Sequence, residues 1–201
     1  MSVTHAEHFE DKATDTATFF KRRAKVGALL LILSDGMMVI AAVFSFLYLR
    51  ALNTSGAFKP ATEHAPPMAG GLIVALAVVV GAVVFRSQVV ASARSGNDPG
   101  VRSGLVLALL LAFAALVVQV WAVATGSSFP APVHGYASVV MLLGAIGLFH
   151  MFVTLVVTLL LAGRAIRGLL GGRTYPLEVA GYWWYYVAGV AVVTWLLLTF
   201  V

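Results

Sequence analysis

The sequence has no cysteine, and Lys, Arg, Asp and Glu together make up only 10% of its 201 residues. The first absence excludes disulfides, thiolate metal sites and cysteine nucleophiles. The second excludes an ordinary water-exposed domain, which carries about 25% charged residues. Proline is missing from the long apolar runs, so the interrupted helices that frame many transporter substrate sites are not indicated. There is no Gly-rich loop with Lys and Ser/Thr to cradle a phosphate. A bis-histidine haem needs two deep histidines on facing helices, and only His150 lies deep in an apolar run. No set of metal ligands is clustered within those runs either.

What is abundant is hydrophobic sequence, 61% of the chain, arranged in long stretches. Five stretches reach the ~20 residues an α-helix needs to cross the hydrocarbon of a bilayer. They lie at about 26–49, 68–90, 104–124, 136–162 and 179–201. In lipid a span must satisfy its own backbone hydrogen bonds, and an apolar run does so as a helix. The expectation is therefore an all-α integral membrane bundle of five transmembrane helices over residues 25–201, preceded by a polar cytoplasmic tail at 1–24. That tail is expected to be mobile or a short surface helix. It is followed by a full-length apolar run rather than the shorter core of a cleavable signal. Breakers punctuate the runs: Asn53, Ser55, Gly56 and Pro60, then Ser95 to Gly100, then Gly126, Pro130 and Pro132, then Gly168, Gly171, Gly172 and Pro176.

The cations give an orientation. Eleven of the 13 Lys and Arg fall in the tail and in the second and fourth connections, and two, Arg50 and Lys59, fall in the first. Positive residues mark the cytoplasmic side, so the N-terminus is expected inside and the C-terminus outside. The basic balance thus reads as topology and headgroup contact rather than a nucleic-acid surface. Tyr175, Tyr182, Trp183, Trp184, Tyr185 and Tyr186 cluster at the start of the fifth run, where interfacial anchoring is the plain expectation. Gly and Ala in the second and fourth runs allow close helix approach.

Few residues remain that could carry chemistry. Asp35 is the only acid within a run, nine residues past Val26 and so about 14 Å deep. A charged side chain there costs about 2.5–3.5 kcal/mol on insertion scales, so it needs a partner or water. His150 lies 13 residues before Gly163, about 20 Å from the same side. The two stand at comparable depth, and a direct or water-bridged hydrogen bond between them is expected: either helix packing or a proton-linked group. Gln119 reads as interhelical glue. His134 and Tyr136 read as a helix start with headgroup contacts. His5 and His8 lack a third ligand and read as part of a solvated tail.

Three segments together resemble subunit III of the haem–copper terminal oxidases. Ser34-Asp35-Gly36-Met37-Met38, followed by Phe44, Phe46, Tyr48 and Arg50, is similar to that family's helix with an acid after Ser or Gly. His134-Gly135-Tyr136-Ala137-Ser138, leading to His150, resembles the family's Tyr-Gly-Ser opening into a helix with two histidines. Here His150 matches the second histidine, and Gly147 stands at the first. Glu178 through Trp195 resembles the final helix, with Trp184 and Val187 matching while Tyr185 and Ala188 replace a His and an Asp. Gln119 matches a family glutamine, and Ala122 falls where a Glu is usual. The resemblance covers about residues 25–201 and implies the family's short five-helix form, inside the bacterial cytoplasmic membrane.

It further implies a non-catalytic subunit with no redox centre of its own. Haem and copper would sit in the partner catalytic subunit, subunit I, against which the chain would pack together with other subunits. It would bind phospholipid in a cleft and support proton uptake and complex stability. The electron donor would be cytochrome c or quinol. Alternatives are an accessory subunit of nitric-oxide reductase and, outside the family, an independent small transporter. An intramembrane enzyme would need clustered polar groups, which the sequence scarcely offers.

Overall fold

A computed structural model describes the backbone of residues 3–54, 56, 58–59, 68–126 and 134–200, with side chains from residue 18 onward except at Met68. Among the described residues there is no strand. The helices are α1 (Val3–Ala51), α2 (Met68–Val84), α3 (Ala91–Arg94), α4 (Asp98–Gly126), α5 (Gly135–Ile166) and α6 (Tyr175–Phe200). A π-helical turn, Phe85–Val90, joins α2 to α3 in one continuous rod. Five helices are long and apolar enough to cross a membrane: Thr18–Ala51, Ala69–Arg94, Asp98–Thr125, Gly135–Ile166 and Tyr175–Phe200. The chain is a multi-pass membrane bundle.

The ends extend beyond the expected runs in ways that follow from the sequence. Helix α1 begins at Val3, so the segment expected as a tail or a separate surface helix is continuous with the first span. No Gly or Pro stands between Val3 and Val26 to break it. The side chains of His5 and His8 lie outside the described residues. Pro99 and Pro176 enter the first turns of α4 and α6, where the missing N–H has no intrahelical partner to lose. Helix α5 ends where Gly168 takes φ 68° and the Leu169 N–H returns to the Arg164 carbonyl, a left-handed cap that glycine alone adopts cheaply.

Two buried clusters hold the bundle. The larger joins α2, α4, α5 and α6 through Val78, Phe85, Leu105, Met151, Trp184 and Val187, among others. The smaller joins α1, α5 and α6 through Val39, Phe46, Tyr136, Leu143 and Val190. Close approach is arranged by glycine against tryptophan: a Cβ on Gly81 would lie 2.3 Å from the Trp184 ring, and one on Gly71 would lie 3.0 Å from the Trp195 ring. Among the described residues helix α1 packs chiefly on α5 and α6 and stays at the edge; 11% of its apolar window is buried, against 39% in the second span.

Candidate functional site: a polar triad at mid-membrane

Asp35 and His150 meet. The His150 Nε2 lies 2.6 Å from Asp35 Oδ2, linking α1 to α5. A third group completes the site: the Tyr186 hydroxyl, on α6, donates to the same Oδ2 in a short hydrogen bond. His150 is fully buried, and Asp35 is 14% exposed at its side chain. Both ring nitrogens are engaged, since Nδ1 lies 2.7 Å from the Ile146 carbonyl oxygen one turn back.

The geometry counts protons. A carbonyl oxygen only accepts, so His150 Nδ1 carries a proton and donates it to Ile146. One further proton must then lie between Nε2 and Oδ2, whichever of the two heavy atoms holds it. In either form, neutral acid with neutral imidazole or carboxylate with imidazolium, the pair has no net charge. This is how an acid and a base stand together in a low-dielectric interior without leaving an isolated charge. The Tyr186 hydroxyl adds a fixed donor that orients the carboxyl group.

A ladder supports the site. His150, Thr154 and Thr158 recur every four residues on one face of α5. Thr154 Oγ1 donates to the His150 carbonyl at 2.7 Å, and Thr158 Oγ1 donates to the Thr154 carbonyl at 2.7 Å. Each hydroxyl in turn accepts an indole N–H from α6, Trp183 at 2.9 Å and Trp184 at 3.2 Å. The Trp183 ring stacks on His150 with centroids 5.7 Å apart. These two tryptophans and Tyr186 were expected at a headgroup interface. They face the bundle instead, because their polar atoms find partners on α5, while Tyr182 and Tyr185 remain on the outside.

The other candidate residues stand apart from the triad. Glu178 is buried at the basic end of the bundle and bridges Lys25 at 2.9 Å and Arg94 at 3.0 Å, tying α1 and α3 to α6. Gln119 reaches across to the Gly144 carbonyl through a long 3.4 Å contact. A Cβ on Gly147 would come within 2.7 Å of the Gln119 amide, so the glutamine occupies the space a side chain at that position would need. His134 caps α5, its Nδ1 accepting the Ala137 N–H at 3.2 Å. Tyr136, expected against headgroups, is buried against Phe46 and Phe58 with the Lys59 ammonium 4.8 Å from its ring centre. Ser138 is exposed and donates to the His134 carbonyl, and Ser34 is exposed beside Asp35. Among the described residues no group of three or more His, Asp or Glu could hold a metal ion.

A cleft between α2, α4, α5 and α6 runs from the end of the bundle opposite Glu178 down to His150. Its empty space, counted together with open solvent at its mouth, is about 920 Å³. Its walls are mostly apolar or small, with Gly71, Gly144, Gly147, Ala191 and Trp195 among them and Gln119 as a polar group. Asp35 is not part of its lining.

Thr154 and Thr158 carried no expectation from the sequence, and Trp183 and Tyr186 were expected only as interfacial anchors. The four-residue spacing of the threonines from His150 was the available signal. Comparison with known proteins finds no matching family model and no matching curated relative.

Proposed function

We propose that the chain is a non-catalytic, subunit III-type component of a respiratory haem–copper terminal oxidase. In this reading it sits in the bacterial cytoplasmic membrane with its N-terminus inside and its C-terminus outside. It packs on the catalytic subunit, which carries the haem and copper, and supports proton uptake and the stability of the complex. The observation that carries the reading is the contact between Asp35 and His150. The resemblance singles out these two residues from separate segments, and they stand 115 positions apart yet share one hydrogen bond at mid-membrane.

The chemistry is consistent with a supporting role. A net-neutral pair that shares one proton can respond to charge movement nearby without presenting an ion to lipid. The apolar cleft offers a place for a phospholipid acyl chain, the ligand that the resemblance implies. An independent transporter would need an aqueous path lined by Asp35, and the cleft reaches His150 without including that residue.

The test is purification of the tagged chain in mild detergent from cells that express a terminal oxidase, with a reduced-minus-oxidised spectrum of the eluate. Haem bands rising with a large membrane subunit are expected. The bands and the sequenced subunit then separate oxygen reduction from nitric-oxide reduction. A colourless eluate holding only this chain overturns the proposal.

A further inference from the structure

We infer that the pocket between the start of α4 and the connection from α5 to α6 binds a phosphate group with a primary ammonium beside it, the chemistry of a phosphoethanolamine. The inference goes beyond the accessory-subunit reading and does not depend on it. The pocket's walls include Asp98 and Arg102 of α4, Ala165 near the end of α5, and Leu170, Gly171 and Gly172 of the connection. It shares no residue with the apolar cleft that reaches His150. It lies where the span Asp98–Thr125 starts and the span Gly135–Ile166 ends, at the level of headgroups and water.

Two opposite charges stand in this pocket without partners. Among the described residues the acids are Asp35, Asp98 and Glu178. Asp35 is held by His150 and Tyr186, and Glu178 by Lys25 and Arg94. The Asp98 carboxylate makes no hydrogen bond or ion pair among the described residues, and neither does the Arg102 guanidinium one turn on. Side chains four apart on a helix have Cβ atoms about 5–6 Å from each other, so the two could have met and do not. A plain anion seated on Arg102 would be repelled by Asp98. A ligand carrying both charges makes a contact of each.

The backbone adds donors for the anionic half. The N–H groups of Leu170, Gly171 and Gly172 make no hydrogen bond among the described residues. Gly171 and Gly172 take φ 54° and 71°, and a row of unspent N–H groups in such a turn is an anion-binding element. The end of α4 is not the attraction, because Asn97 already takes the Gly100 N–H at 3.2 Å and the Val101 N–H at 3.1 Å. The guanidinium of Arg102 supplies the fork that fits phosphate oxygens. The exposed Arg167 and Arg173 bracket the connection and add positive field. An amino acid carries its two charges on one carbon. In phosphoethanolamine two carbons and an ester oxygen separate them, which suits groups one helical turn apart. Ile166 and Leu169, sequence neighbours of pocket residues, are exposed and apolar, so lipid chains attached to the phosphate have a surface to follow.

The test is native mass spectrometry of the full chain, released from detergent after incubation with equal amounts of phosphatidylethanolamine, phosphatidylcholine and phosphatidylglycerol. Phosphatidylethanolamine should be retained about tenfold more than phosphatidylcholine, whose trimethylammonium cannot donate a hydrogen bond to Asp98. Arg102→Gln should lower that retention about tenfold through the lost charge-assisted contact with phosphate. Asp98→Asn should abolish the preference for phosphatidylethanolamine and raise phosphatidylglycerol to its level or above. Both side chains are exposed, so thermal unfolding should not move. Arg86→Gln, at an exposed arginine outside the pocket, should change neither retention nor unfolding. Water-soluble glycerophosphoethanolamine separates the two sources of this chemistry. Displacement of the lipid by it assigns the pocket to a soluble ester, and failure to displace assigns it to a headgroup held also by its chains; both keep the inference. Equal retention of phosphatidylethanolamine and phosphatidylcholine by the wild type overturns it. So does an Arg102→Gln or an Asp98→Asn chain that behaves as wild type.

Discussion

The carboxyl group of Asp35 is asked to do two things at one oxygen: take the Tyr186 hydroxyl and share a proton with His150. The substitutions that separate these demands differ in sign and size. Asp35→Asn keeps the shape and can donate its amide to a neutral His150 Nε2, but the amide nitrogen cannot accept the Tyr186 hydroxyl, so the bundle should lose about 1 kcal/mol, less than in the alanine variant. Asp35→Ala leaves the buried Nε2 and the Tyr186 hydroxyl without partners and should cost about 1–3 kcal/mol. Unfolding in detergent, by heat or by SDS titration, checks the order. If Asp35→Asn is as damaging as Asp35→Ala, a neutral amide cannot replace the carboxyl group, and the pair's ionic form is what holds the helices. If the chain serves a terminal oxidase as proposed, equal turnover, pumping and inactivation rate for Asp35→Asn and wild type would make the residue structural alone. Depth arithmetic along two helices was enough to pair Asp35 with His150 from the sequence. Tyr186 was not legible in the same way, because five aromatics in a row satisfy an interfacial pattern and a buried one equally well. Only the helix rotation decides which of them turn inward.

At the level of helix pairs, the packing of α2 on α6 depends on a missing side chain. Trp184 is almost fully buried and anchored by its N–H to Thr158 at 3.2 Å, and its ring stacks on Phe85 with centroids 5.9 Å apart. The indole therefore has little freedom to retreat from a new methyl group. Gly81→Ala would place Cβ 2.3 Å from the ring, and overpacking of this kind costs about 1–3 kcal/mol. Gly189→Ala, where nothing lies within 4 Å, is the matched control. It should be neutral or stabilising, since Ala is favoured over Gly in a helix by about 1 kcal/mol. Equal unfolding midpoints for the two variants would show that the indole yields. The existence of the helices was readable because apolar runs of this length have one solution in lipid. The π-helical turn over Phe85–Val90 beside this contact was not. What can be said is that Phe85, Val89 and Val90 are all buried there, against α4 and α6.

The bundle as a whole is tied at one end by charge. Lys25 opens the apolar part of α1, Arg94 closes α3, and Glu178 lies in the first turn of α6; their contacts bring three distant parts of the chain to one level. Glu178 was singled out from the sequence by resemblance alone. The ion pairs could have been anticipated, because alternating spans put the start of the first, the end of the second and the start of the fifth on the same side. The energy of the cluster is limited by solvent. The side chain of Lys25 is 32% exposed and that of Arg94 is 53% exposed, so each cation can recover hydration if the carboxylate is removed. Glu178→Gln should therefore cost about 1 kcal/mol rather than the several that follow when an ion is stranded in a closed interior. Double-mutant cycles divide that loss. Coupling of Glu178→Gln with Lys25→Met should exceed coupling with Arg94→Met, because Lys25 is the less exposed partner and its contact is no longer, 2.9 Å against 3.0 Å. The reverse order would mean that the Arg94 Nε, also within 3.3 Å of the same carboxylate oxygen, makes the paired geometry of the guanidinium outweigh burial. The end of the bundle would then be held chiefly through α3 rather than through α1.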